Sequence, residues 1–439
     1  MSSTVAILMF SLLLAGCVLG FPIAFVLGGL ATLFGLAFWG NQVLLMFVSR
    51  GYGMMSDYIM IAVPLFVLMG YIMEQTGIAV RLYNGLYFIF GPVRGGLGIA
   101  TIVVCTLFAA STGIIGASIV TMGLLALPMM LKYGYAKDLA SGTVCAGGDL
   151  GILIPPSIML VVLGSQATLS VGRLFLAAFP AGLLLSLLYM AYIAVRCLLR
   201  PKDGPAMTKD ELTAMPVRTR LSKAVEGVIP PVLLIFCVLG AIFFGIATPT
   251  EAAAIGAFVA LLIGLMYREV SWAKLRAALI GTLKTTSMVL FVMLGASCFT
   301  AVFLGLGGGD VVTGFLIGLG LGPYGLLVLM LFIIFVLGMF IDWIGILLIT
   351  IPIFMPLVKV LGFDPLWFAI VMCLDLQMSF LTPPFAPATF YLKGVAPPDV
   401  QYTDMYKGVW PYLILIAICI AICVIFPDVI TWLPEKMIK

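Results

Sequence analysis

The sequence predicts an all-α polytopic membrane protein built from two structural repeats, and three observations carry that prediction. Apolar runs of about 20 residues recur along the chain, the length that crosses a hydrocarbon core of about 30 Å. Only 9% of the 439 residues are charged and 63% are hydrophobic. A soluble domain carries roughly 25% charged residues, so a water-soluble fold of this size would lack a polar surface. Finally, an ordered series of glycine and proline landmarks in the first half returns in the second.

Composition also excludes chemistry. The chain has no histidine, so no metal site rests on an imidazole and no histidine-based triad exists. No Walker A pattern is present, so the chain does not itself power transport with ATP. The nine cysteines fall mostly inside apolar runs without zinc-ligand spacing and read as small buried hydrophobes. Leu14-Ala15-Gly16-Cys17 has the form of a lipoprotein processing site. No Lys or Arg precedes it, as a secretory signal requires, and residues 4–20 read as a first membrane helix.

Residues 196–227 are the one clearly aqueous stretch, mixing Arg196, Arg200, Lys202 and Arg218 with Asp203, Asp210 and Glu226. Short loops rich in Lys and Arg stay cytoplasmic, so this is read as a cytoplasmic basic linker. It separates a first membrane repeat (1–195) from a second (228–439). At an offset of about 227 residues Phe21-Pro22 meets Thr248-Pro249, Gly29 meets Gly256, Pro128 meets Pro356, and Gly134-Tyr135 meets Gly362-Phe363. Pro155-Pro156 meets Pro383-Pro384, while Phe66 and Gly70 meet Phe291 and Gly295 at a slightly shorter offset. Two-fold repeats place a transporter's substrate site at the repeat interface. Inversion of the repeats requires an odd number of crossings per half. Hydropathy does not count them where segments are interrupted, and inverted repeats are the preferred reading.

Each half holds segments that should not be plain spanning helices. The first has Ser111-Thr112-Gly113-Ile114-Ile115-Gly116-Ala117-Ser118, then Gly147-Gly148-Asp149-Leu150-Gly151-Ile152-Leu153-Ile154-Pro155-Pro156-Ser157. The second has Asp342-Trp343-Ile344-Gly345, then Asp375-Leu376-Gln377-Met378-Ser379-Phe380-Leu381-Thr382-Pro383-Pro384. Paired prolines break helices, and freed backbone is tolerated in a membrane only where protein buries it or it lines a wet cavity. Unwound carbonyls and hydroxyls suit a hard cation such as Na⁺, and half-helix N-termini suit an anion. Close helix packing is the competing reading of the small residues. Charges within apolar segments cost about 2.5–3.5 kcal/mol each, so Asp149, Asp342 and Asp375 are expected to line an aqueous site. Ser118, Ser157 and Gln377 are further candidates for a substrate cavity. Glu251, just after Pro249, reads first as a helix cap.

Val63-Pro64-Leu65-Phe66-Val67-Leu68-Met69-Gly70, Gly151-Ile152-Leu153-Ile154-Pro155-Pro156-Ser157 and Thr248-Pro249-Thr250-Glu251-Ala252 carry a resemblance. So do Asp342-Trp343-Ile344-Gly345-Ile346, Thr382-Pro383-Pro384-Phe385 and Tyr391-Leu392-Lys393-Gly394. Over nearly its whole length the chain resembles the large membrane subunit of tripartite ATP-independent periplasmic (TRAP) transporters. That resemblance implies an elevator-type carrier in which a scaffold holds a moving transport domain of two helical hairpins and the broken helices. It implies a Na⁺ gradient as driving force, a small four-helix membrane subunit, and a periplasmic substrate-binding protein that hands over a small organic acid. It also places the chain in the bacterial inner membrane among lipid, with no cofactor, no transition metal and no nucleic-acid partner. Carried over residue by residue, one ion site would use Ser111, Thr112, Gly113, Gly148, Asp149 and Gly151. The other would use Asp342, Gly345, Thr382 and, through its carbonyl, Pro383.

Three positions depart from the family pattern. Asp149 stands where a small neutral residue is usual, Asp375 where Asn is expected, and Phe385-Ala386 replaces Phe-Gly. Extra carboxylates would tighten cation binding or add a protonatable group, and would disfavour an anion close by. No further block of helices precedes the first repeat, so the small subunit is expected as a separate chain. Two rival readings are a self-sufficient ion-coupled carrier of organic anions and a membrane enzyme using Asp342 and Asp375. The second has no motif beyond the two carboxylates.

Overall fold

The computed structural model describes residues 2–112, 115–207 and 216–437. Among them the chain forms twenty helices and no strand. The first half runs α1 (Ser2–Val18), α2 (Ile23–Trp39), α3 (Gln42–Met55), α4 (Ala62–Gln75), α5 (Ile78–Phe90), α6 (Gly96–Thr112), α7 (Ile115–Lys132), α8 (Lys137–Asp149), α9 (Ile158–Ala167) and α10 (Val171–Leu199). The second runs α11 (Val217–Ile235), α12 (Pro249–Met266), α13 (Trp272–Gly305), α14 (Gly308–Gly318), α15 (Pro323–Gly338), α16 (Trp343–Val360), α17 (Pro365–Leu381), α18 (Pro387–Lys393), α19 (Tyr402–Ile425) and α20 (Asp428–Glu435). A π turn at Phe236–Gly240 and a short α turn at Ala241–Phe243 extend α11. Among the described residues, eight helical stretches are long and apolar enough to cross a bilayer. This is the all-α polytopic membrane architecture that hydropathy predicts.

The two halves interlock reciprocally. Helix α2 packs on α13 while α12 packs on α4; α1 packs on α14 while α11 packs on α5; α8 packs on α19 while α17 packs on α10. Exchanging the halves exchanges the members of each pair, as in the self-complementary interface of a two-fold dimer. The single helix α13 occupies the place that α3 and α4 share in the first half.

Glycines allow these crossings. A Cβ on Gly295 of α13 would stand 2.6 Å from the Ala24 carbonyl oxygen of α2. At the α8–α19 crossing, a Cβ on Gly408 would stand 2.1 Å from the Asp138 carbonyl oxygen, and one on Gly142 would stand 2.3 Å from that of Gly408. Backbone meets backbone there, the small-residue packing that membrane helices use in place of a hydrophobic drive.

Helix ends intrude on the stretch expected as linker. Helix α10 continues through Arg196 to Leu199 because Arg196 donates from Nη2 to Asp138 at 2.7 Å, from Nε to Asp203 at 2.9 Å and from Nη1 to Tyr192 Oη at 3.0 Å. A cation in the last turn also complements the helix C-terminus. Glu251 does cap its helix: Thr248 and Glu251 form a capping box around Pro249, with the Thr248 N–H donating to Glu251 at 2.7 Å.

Candidate functional site

Two prolyl breaks organise the centre. Helix α8 stops at Asp149, where Leu150–Ile152 tighten into a 3₁₀ turn, and the cis Pro155-Pro156 pair precedes the restart at Ile158. Proline has no N–H to continue the ladder. The Ser157 hydroxyl donates back to the Ile152 carbonyl and so satisfies part of the unwound segment. In the second half α17 ends at Leu381, the Thr382 hydroxyl donates to the Met378 carbonyl at 2.7 Å, and the cis Pro383-Pro384 pair leads to α18. The two helical hairpins, α6–α7 and α15–α16, meet these breaks.

Between hairpins and breaks lies a cavity of about 110 Å³ with walls from both halves. Ile115 and Gly116 open α7, Ile158 and Met159 open α9, and Trp343 and Ile344 open α16; all six line it. Residues at the starts of three helices therefore line one small volume, and a helix start carries N–H groups without partners in its own helix and a partial positive charge. Asp342 lies on the wall and caps α16, accepting from the Ile344 N–H at 3.4 Å. The Tyr391 ring covers Gly116, whose Cβ would stand 3.3 Å from it. A Gly116→Leu substitution should therefore fill the cavity or displace Tyr391. Protein yield is expected to hold while uptake falls on the order of ten-fold or more, given how steeply rates respond to misplaced groups; unchanged uptake would take this cavity off the solute's path.

Off the cavity wall, several buried acceptors lack partners among the described residues. Asp149 is 1% exposed, and neither of its carboxylate oxygens has a hydrogen-bond partner among the described residues. Asp375 Oδ2 and Gln377 Oε1 are orphaned in the same way. Gln377 Nε2 donates to the Asp149 carbonyl at 3.2 Å, a bond between residues 228 positions apart. That separation matches the repeat offset, so the bond joins equivalent positions of the two halves. A buried carboxylate without a donor is costly, and hard oxygen ligands without donors are what an alkali or alkaline-earth cation accepts. The Asp149 carboxylate, without a donor among the described residues, is thus suited to be a cation ligand.

The other residues singled out by sequence fall into place unevenly. A Cβ on Gly148 would stand 3.1 Å from the Ile119 backbone, so the end of α8 lies flush on α7. Gly151 is in the 3₁₀ turn, against which α6 packs. Ser111 and Thr112 close α6, and Gly113 lies outside the described residues. Gly345 makes a packing contact, its Cβ position being 3.0 Å from Ile23 of α2. Ser118 and Ser157 are fully buried, and Asp375 and Gln377 lie inside α17 rather than on the cavity wall. Thr285 and Tyr391 do line the wall, and neither was among the candidate site residues. The hydroxyl run Thr285-Thr286-Ser287 within a long spanning helix was the available signal; the Thr285 hydroxyl is within 2.9 Å of Tyr71 Oη.

The family described as "Tripartite ATP-independent periplasmic transporter, DctM component" matches residues 8–429. The C4-dicarboxylate TRAP transporter large permease protein DctM of Vibrio cholerae is 32% identical over 455 residues, covering 98% of this chain and 97% of that protein. The 2,3-diketo-L-gulonate TRAP transporter large permease protein YiaN of Escherichia coli is 30% identical over 432 residues, covering 97% and 98%. These relatives are transporter permeases and not enzymes. The crystal structure of the Alcanivorax borkumensis YdaH transporter has the same fold, with a TM-score of 0.64 at 14% identity over 98% of this chain and 99% of that one. The matched length takes in both prolyl breaks and every wall of the cavity between them, and the chain belongs to the DctM family, the large permease subunits of TRAP transporters.

Proposed function

We propose that this chain is the permease of a Na⁺-coupled symporter that imports a small organic acid across the bacterial inner membrane. A periplasmic binding protein delivers the acid, and a small four-helix membrane subunit completes the assembly. The observations that carry the reading are a cavity lined by the starts of three helices from both halves, and the Asp149 carboxylate buried without a partner among the described residues at the end of α8. The N-termini bind the acid's carboxylate. Asp149 with Ser111, Thr112, Gly113, Gly148 and Gly151 holds one Na⁺, and Asp342 with Gly345, Thr382 and Pro383 holds another. Cation charge beside the N-termini offsets Asp149 and Asp342, which would otherwise repel an anion. Anion and cation thus enter together, which is the physical basis of coupling.

The halves act as inverted repeats, 1–195 and 228–439, around the cytoplasmic linker 196–227. The hairpins α6–α7 and α15–α16 move as an elevator with the broken helices against a scaffold that includes α2, α4, α12 and α13. The relatives named for C4-dicarboxylates and for 2,3-diketo-L-gulonate support an organic acid as cargo.

Liposomes holding the chain and its small subunit, supplied with binding protein loaded with succinate, test this directly. Uptake is expected only with both an inward Na⁺ gradient and the binding protein. Uptake by the chain alone would favour a self-sufficient carrier. Uptake driven by protons without Na⁺ would make Asp149 and Asp375 proton carriers.

A further inference from the structure

A larger cavity of about 540 Å³ lies between α3, the turn before α4, the far end of α9 and α13. Its wall carries Arg50, an exposed guanidinium with no hydrogen bond or ion pair among the described residues. Asp57 shares the cavity, and both its oxygens are already engaged. Oδ1 accepts from the Ile59 N–H at 2.9 Å and Oδ2 from the Ser165 hydroxyl at 2.5 Å. Arg50 therefore keeps its donors free, while each Asp57 oxygen already accepts a hydrogen bond.

Two helices connect this cavity to the central one. Helix α9 lines the central cavity with Ile158 and Met159 and this one with Ser165 and Gln166; its ten residues span about 15 Å at about 1.5 Å each. Helix α13 does the same, with Thr285 and Met288 at one cavity and Met293 and Ser297 at the other. The far end of α9 turns into the start of α10, and the 29 residues of α10 run from there to the linker. With the linker cytoplasmic, the Arg50 cavity opens to the periplasm.

We infer that the Arg50 cavity is a second, shallower anion site, which a carboxylate solute occupies between its release outside the membrane and its entry to the central cavity. The guanidinium fork matches a carboxylate. At an open rim its main effect is on arrival rate and salt dependence. The inference rests on the organic-acid reading above, and two measurements separate the two.

The first needs no transport. Phenylglyoxal labelling of Arg50 in the full complex, followed by peptide mass spectrometry with Arg218 as internal reference, is expected to slow in millimolar succinate and not in equimolar glycerol. Equal labelling rates would overturn the site. The second compares initial succinate uptake in Arg50→Gln and Arg50→Lys at subsaturating loaded binding protein. A loss of about five-fold is expected for Arg50→Gln, as for other steering charges, with Arg50→Lys keeping at least half the rate. Raising ionic strength should slow the unmodified protein and leave Arg50→Gln nearly unaffected. Binding-protein affinity, measured by interferometry, should be unchanged in both variants. A matching fall in that affinity would make Arg50 a docking residue and overturn the inference, as would wild-type rates in Arg50→Gln or equal losses in both variants. Absence of succinate uptake in the unmodified protein, with Arg50 still protected, would instead count against the transport reading.

Discussion

Asp149→Asn is expected to cut Na⁺-driven uptake on the order of 100-fold or more while leaving a protein that folds and inserts. Asn keeps the shape of the side chain and removes the charge, so it takes away a cation ligand without opening a hole. Both oxygens of Asp149 are buried and without protein partners among the described residues. Removing one member of a buried charge pair costs about 3–5 kcal/mol, and each 1.4 kcal/mol is about ten-fold in affinity. Without Na⁺ the sign reverses: an unpaired buried charge is a burden, so the variant should melt no lower than the parent in Na⁺-free detergent. Uptake against Na⁺ concentration and a melting curve with and without Na⁺ check both halves. Uptake and Na⁺ dependence like those of the parent would remove Asp149 from the ion site.

Gly408→Val should be strongly destabilising although it lies outside the site. The added Cβ would stand 2.1 Å from the Asp138 carbonyl oxygen, and what it meets is backbone, not a side chain that can rotate away. Overpacking by one methylene costs about 1–3 kcal/mol, and a backbone clash at a helix crossing should exceed that. Helix α8, whose last residue is Asp149, is the helix pushed aside, so transport should fall with stability. Gly314→Ala in α14 is the matched control. No atom lies within 4 Å of its Cβ position, and Ala in a helix is favoured over Gly by roughly 0.5–1 kcal/mol. A lowered melting temperature for Gly408→Val beside an unchanged or raised one for Gly314→Ala is the expected pair. Equal melting of the two would mean that α8 and α19 are free to separate at that crossing.

What could be read from the residues alone follows the range of the forces involved. Hydropathy is a property of each segment, so the membrane class was legible. Proline acts on its own turn, so both breaks were legible from Pro155-Pro156 and Pro383-Pro384, and Glu251 was legible as a cap because a capping box spans four residues. The family and the partners it implies came from matching whole motifs and not from spacing. Linker boundaries were less legible, because Arg196 stays helical through Asp138, a carboxylate distant in sequence.

The sequence by itself determined an all-helical membrane chain with paired, Gly- and Pro-marked interruptions, since these depend on local backbone chemistry and on transfer of each segment into lipid. Only the tertiary structure decided that Gln377 reaches the Asp149 carbonyl, that the Asp149 carboxylate is left without a donor, and that Thr285 and Tyr391 complete the cavity wall. It likewise decided that Ser157 turns its hydroxyl inward and that Gly345 packs on α2. These are contacts whose geometry is set by how rigid helices cross, and a residue's type does not report which neighbour a crossing brings within 3 Å.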